Sequence, residues 1–182
     1  MQEAVKGLAF RMSLVGASEE TVRQVLSIAQ LDGVCEISGV NHDQQVVLSG
    51  TQTAVDEVTR VMKDKFKVSC RNLDISAPHH CTLMKPAAEV VRKELNMIEV
   101  KDSVFPIVSN ANSKNVDTAD DIRKSLVDNV ASPAMFLKNL EFVVNGGANL
   151  FTELGPRKLL INLVSKIAKD RELYDLILYK NK

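Results

Sequence analysis

The sequence predicts a mixed chain, α/β in content and α+β in layout. A ferredoxin-like βαββαβ unit is expected over residues 7–75, and a helix-rich α/β stretch over 76–182. Three observations carry this reading. In the first third, the apolar period switches between two and about 3.6 in the order β-α-β-β-α-β, the split βαβ arrangement. The remainder holds several helical patterns but only two short strand-like runs. The chain has 182 residues, 45% apolar and 25% charged. That is enough to bury a core without a disulfide or metal staple.

The elements follow in order. Leu8 to Val15 alternates as a strand. Ser18 is an N-cap, and Glu19 and Glu20 complement the dipole of a helix running to about Gln30. Its apolar positions Val22, Val25, Leu26 and Ala29 share one face. Val34 to Val40 is a second strand, Asn41 to Gln44 a polar turn, and Gln45 to Ser49 a third strand. Gly50 and Thr51 open a second helix with Ala54, Val55, Val58, Val61 and Met62 on one side. Phe66 to Cys70 begins the fourth strand.

Beyond it, Thr82 to Met97 is helical, with Pro86 tolerable only near the first turn. Pro106 to Val108 is a short buried strand. Thr118 precedes a helix running to about Val130. Ser132-Pro133 opens another helix, from Ala134 to about Val144, which Asn145-Gly146-Gly147 ends. Leu150 to Leu154 is a strand, and Gly155-Pro156 turns into a helix over Lys158 to Lys169. Two strands do not make a stable parallel sheet, so these are expected to be the edge of a larger one.

Composition excludes several function classes. The 23 basic and 23 acidic side chains leave no net charge, unlike a dedicated polyanion binder. Aromatics are scarce, with Phe10 alone in the first strand and none in the third, so a ferredoxin-like nucleic-acid platform is not expected. Cys35, Cys70 and Cys81 are odd in number and lack paired spacing, which points to reduced thiols and a cytoplasmic protein. No apolar run reaches the ~18 residues of a membrane span. The first ten residues lack the apolar core of a signal peptide.

The segment Ser76-Ala77-Pro78-His79-His80-Cys81-Thr82-Leu83-Met84-Lys85-Pro86-Ala87 follows a strand and leads into a helix. Catalytic histidines sit on such loops, and polar loop histidines do too. A zinc site from His79, His80 and Cys81 is disfavoured, because adjacent residues do not converge on one tetrahedral ion.

That run resembles the histidine motif of the malonyl-CoA:acyl carrier protein transacylases. Four more segments match the family in the same order: NHDQQVVLSG, FPIVSNANS, SLVDNVASPAMF and FTELGPRKLLINL. The resemblance covers residues 1 to 169. It implies a ferredoxin-like subdomain inserted into an α/β-hydrolase-like acyltransferase core, of which this chain carries the subdomain (7–75) and the C-terminal part (76–182). It implies malonyl-CoA and acyl carrier protein as substrates, no cofactor and no metal, and neither nucleic acid nor membrane as partner.

It also implies roles. His80, the second residue after Pro78, matches the family's catalytic histidine. It would act as general base on a serine and then as general acid to the leaving thiol. Asn129 matches the residue whose main-chain carbonyl holds the Nδ1 proton, where the family often has Gln. The family's nucleophile is a Ser in a Gly-x-Ser-x-Gly elbow. None of the serines in these 182 residues has Gly two positions before and after it. The expectation is therefore a chain that needs an N-terminal piece for activity and is inactive alone. A non-catalytic remnant or binding module keeping an acyl carrier protein docking surface is the alternative. Departures from the family are Asp43-Gln44 in place of Pro-Gly, His79 in place of Phe or a small residue, and Arg157 in place of Gly. Arg157 is expected to point to solvent, and Cys81 to be a small buried residue.

Overall fold

The computed structural model describes residues 2–173 and 175–179. A 3-10 turn, Gln2–Val5, precedes the first strand. The βαββαβ unit consists of β1 (Phe10–Val15), α1 (Glu19–Ile28), β2 (Cys35–His42), β3 (Gln45–Thr51), α2 (Gln52–Phe66) and β4 (Cys70–Asn72). Its sheet is antiparallel in the order β2-β3-β1-β4. Ser18 caps α1, its hydroxyl accepting from the Thr21 N–H at 3.2 Å.

Alternation along the strands gives the sheet two different faces. Val15, Val46 and Leu48 lie on one side, fully buried against Val22 and Val25 of α1 and Val55, Val58 and Met62 of α2. Arg11 on that side pairs with Asp56 of α2 at 2.8 Å. Met12, Leu14, Val47 and Ser49 point to the opposite side, which receives the remaining elements.

Those elements are α3 (Lys85–Asn96), α4 (Ala119–Ala131), α5 (Phe136–Asn145), β5 (Leu150–Thr152), α6 (Leu159–Asp170) and β6 (Ile177–Tyr179). Thr118 caps α4 by accepting from the Asp121 N–H. Pro86 sits in the first turn of α3, where a missing N–H costs no helix bond. Leu137, Leu140, Val164 and Ile167 carry the first core onward into α5 and α6.

Several boundaries differ from the sequence reading. Asn41 and His42 belong to β2, so the hairpin turn is Asp43-Gln44 alone. Gly50 and Thr51 also belong to β3, where the Thr51 N–H donates to the Val34 carbonyl at 2.8 Å, and Thr51 then stands at the N-cap of α2, which begins at Gln52. That approach requires glycine: a Cβ on Gly50 would stand 1.9 Å from the Val34 oxygen. Phe66 ends α2, and β4 starts only at Cys70.

Residues 106–108 form no strand. Pro106 offers no N–H, Val108 makes only an isolated bridge to Asn115, and Ser109 donates to the Lys114 carbonyl to close an irregular loop. Phe105 and Ile107 are exposed. Ala134 is not helical either. It runs extended beside β2, donating to the Ser38 carbonyl and accepting from the Val40 N–H. The strand beside β5 is β6, parallel to it, in a stretch the sequence patterns left unassigned.

Candidate functional site

The loop Ser76–Cys81 leaves β4 and enters a 3-10 turn, Thr82–Met84, continuous with α3. Its apolar residues anchor it. Ala77, Pro78, Cys81, Met84 and Ala87 are all buried. His79 and His80 stay half-exposed between them.

His80 has φ +62°, a left-handed conformation that non-glycine residues adopt at a cost. Two main-chain carbonyls hold it there. The His80 N–H donates to the Val130 oxygen at 3.3 Å, and Nδ1 lies 2.8 Å from the Asn129 oxygen. Both carbonyls belong to the last turn of α4, where a helix has oxygens without intrahelical partners. A carbonyl only accepts, so Nδ1 carries the proton, and Nε2 keeps its lone pair in the neutral ring. The Asn129 side chain plays no part in this bond. Its Oδ1 is enclosed and makes no hydrogen bond among the described residues.

The neighbouring side chains divide clearly. The His79 ring centroid is 6.2 Å from that of His80, and burial followed by the His80 ring pulls its pKa below the usual imidazole value. Cys81 donates to the Pro78 oxygen and accepts from Ser49 Oγ, and burial pushes its thiol up. A thiol so placed is a packing residue rather than a nucleophile. Cys35 is pushed up to about 12, again chiefly by burial. Arg157 is exposed. Asp43 is tied down by Arg171 at 2.6 Å, which holds its carboxyl below the usual carboxylate range, and Arg171 also pairs with Glu141. Among the described residues no group of three or more His, Cys, Asp and Glu side chains is placed to hold a metal.

Two site features escaped the sequence reading. Glu36, a strand residue, accepts from the Thr82 N–H at 2.8 Å and the Thr82 hydroxyl at 2.7 Å. Their separation of 46 positions leaves no local pattern to detect. The second is a cavity of about 570 Å³ between the open sheet face and α6. Leu14, Val47 and Arg71 line it from the sheet, and Leu160, Leu163 and Lys166 from α6. Two cations and no carboxylate are among its lining residues. Val47 stands two positions from Ser49 on the same face, roughly 7 Å along the strand, and Ser49 touches Cys81 beside His80. A shallower concavity of about 650 Å³ lies over the charged side of α1, formed by other residues.

No family model matches the chain. Individual relatives do. It is 30% identical over 169 residues to the malonyl CoA-acyl carrier protein transacylase of Bacillus subtilis (strain 168), covering 92% of this chain and 53% of the relative. The chain is homologous to malonyl CoA-acyl carrier protein transacylases. It spans about half the length of the curated relatives it matches. Solved structures agree. The acyl-carrier-protein S-malonyltransferase of Burkholderia pseudomallei 1710b superposes with a TM-score of 0.89 at 29% identity, over 98% of this chain and 57% of that one. A malonyl-transacylase solved in complex with its type II PKS acyl-carrier protein superposes with a TM-score of 0.85 at 30% identity, over 92% and 55%. The mixed fold is thus that of malonyltransferase acyltransferase domains. Among the described residues no helix is long and apolar enough to cross a membrane.

Proposed function

We propose that this chain is the histidine-bearing, C-terminal part of a cytoplasmic malonyl-CoA:acyl carrier protein transacylase of fatty acid synthesis. Its division at about residue 75 follows the subdomain reading. The observation that carries the proposal is the 2.8 Å contact between His80 Nδ1 and the Asn129 main-chain oxygen, which leaves Nε2 free to take a proton. A backbone carbonyl orients the imidazole without a full negative charge. The Asn found where relatives often carry Gln therefore does not disturb the bond.

The nucleophilic serine comes from the half of the relatives that this chain does not span. As its Oγ attacks the malonyl thioester, its proton passes to His80 Nε2. The C–S bond then breaks, and the proton goes to the departing sulfur of coenzyme A. In the second half-reaction the thiol of the acyl carrier protein gives its proton to Nε2 and attacks the acyl-serine. The serine oxygen then takes that proton back. The cavity beside α6 suits the long arm that bears either thiol, which carries methyl groups, amides and a phosphate, because leucine and valine side chains, the amides of Gln45 and Asn162 and the Arg71 and Lys166 cations line it.

The test is reconstitution. This chain is mixed with a separately produced N-terminal piece bearing Gly-x-Ser-x-Gly, and malonyl transfer from coenzyme A to acyl carrier protein is followed. Transfer by the mixture and none by either piece is the expected result. Association without transfer would overturn the proposal in favour of a non-catalytic module that keeps a carrier-protein docking surface.

A further inference from the structure

We infer that Glu36 is a positioning residue for His80, acting through Thr82 from β2. The inference deepens the proposed function and rests on His80 being the base.

The turn after His80 begins without a local cap. Cys81 occupies the capping position, but its side chain makes no capping bond, and its thiol turns back to the Pro78 carbonyl. A helical start of this kind leaves N–H groups in need of an acceptor. Glu36 meets that need from β2, with one carboxylate oxygen on the Thr82 N–H and the other on the Thr82 hydroxyl. Hydrogen bonds to an ionised carboxylate are shorter and stronger than neutral ones, and a negative charge is favoured at a helix start.

Thr82 is two residues from His80, whose left-handed backbone must be held against relaxation. The carbonyls of Asn129 and Val130 grip His80 from α4, and Glu36 grips Thr82 from the sheet. Among the described residues, the other polar link from this loop to the sheet is the 3.5 Å contact of Ser49 Oγ with Cys81 Sγ, a weak acceptor. Glu36 is therefore the side chain that fixes the loop to β2. Without it, the loop can relax away from α4 and take the imidazole with it.

The test uses imidazole-15N spectra of the isolated chain, with the His80 signal assigned by its loss in His80→Ala. Wild type is expected to show one tautomer, protonated at Nδ1 with slow proton exchange. Glu36→Ala should lose that signature, giving mixed tautomers and fast exchange, while backbone signals of β1 and β3 stay in place. Glu36→Gln keeps one acceptor oxygen and should fall between. If Glu36→Ala does not fold, Glu36→Gln and Thr82→Ala carry the test. In the reconstituted pair, Glu36→Gln should lower kcat roughly 10- to 100-fold with little change in KM. A wild-type His80 signature in every folded variant would overturn the inference. An altered signature in the variants, with no transfer by the wild-type pair, would instead sink the proposed function and leave the positioning role standing.

Discussion

The two faces of the β2-β3-β1-β4 sheet have met different fates. On the α1/α2 face the core is closed: Val15, Val22, Val46, Leu48, Val55, Val58 and Met62 are all 0% exposed. Beyond the other face, the segments around β5 and the loop before α4 leave large apolar side chains in solvent. Val104 is 87%, Leu154 86% and Phe105 77% exposed. The closed face is the centre of a core that Leu137, Leu140, Val164 and Ile167 extend into α5 and α6. The open side leaves large apolar side chains in solvent, and exposure of that kind drives association where it is contiguous.

The comparison can be broken by substitution. Leu48→Ala should cost about 2–5 kcal/mol in urea unfolding, from lost burial and the cavity left behind. Leu154→Ser should change stability by no more than about 0.5 kcal/mol. Equal costs would mean that the two regions do not differ as described. Gly50→Ala comes next, at about 1–3 kcal/mol, because its Cβ would drive the Val34 carbonyl off the end of β3.

Association sharpens the contrast further. The chain alone should self-associate in sedimentation, and Leu154→Ser with Phe105→Ser should reduce this while leaving the unfolding midpoint nearly fixed. A clean wild-type monomer would contradict the account of the open side.

The smallest expected effect concerns pH. His42 is buried, and its Nδ1 accepts from the Gln44 N–H at 3.1 Å, an arrangement that needs the neutral ring. Burial first, and Lys166 second, lower its pKa, with Asp170 and Asp43 pulling the other way. The unfolded chain therefore takes up this proton at a higher pH than the folded one. Stability should be at its full value above about pH 6.5 and fall as the pH drops below that. His42→Asn should flatten the slope but not remove it, since His79 is shifted in the same direction.

The same contrast governs what could be read from the sequence. Where the core is closed, apolar periodicity gave the element order and the hairpin, because burial on one face enforces alternation. The limits of β2 and β3 were misplaced, because the bond from Thr51 to Val34 that ends the hairpin has no compositional sign. On the open side, Pro106 to Val108 looked like a buried strand only because apolar residues in a row suggest burial, and here they are exposed. At the site, Pro78-His79-His80 and the turn into α3 were legible as a motif, and Asn129 followed from the family pattern. The left-handed backbone of His80 and the reach of Glu36 were not, since both depend on segments brought together only by folding.

The most direct measurement is malonyl transfer by the reconstituted pair with His80 and His79 replaced in turn. The account predicts a fall of roughly 10²–10⁴-fold for His80→Ala, the scale of losing a general base, and a much smaller loss for His79→Ala. Asn129→Ala should stay close to wild type, because the oxygen facing His80 is main-chain. An active pair that tolerated His80→Ala as well as His79→Ala would contradict the assignment of His80 as the base.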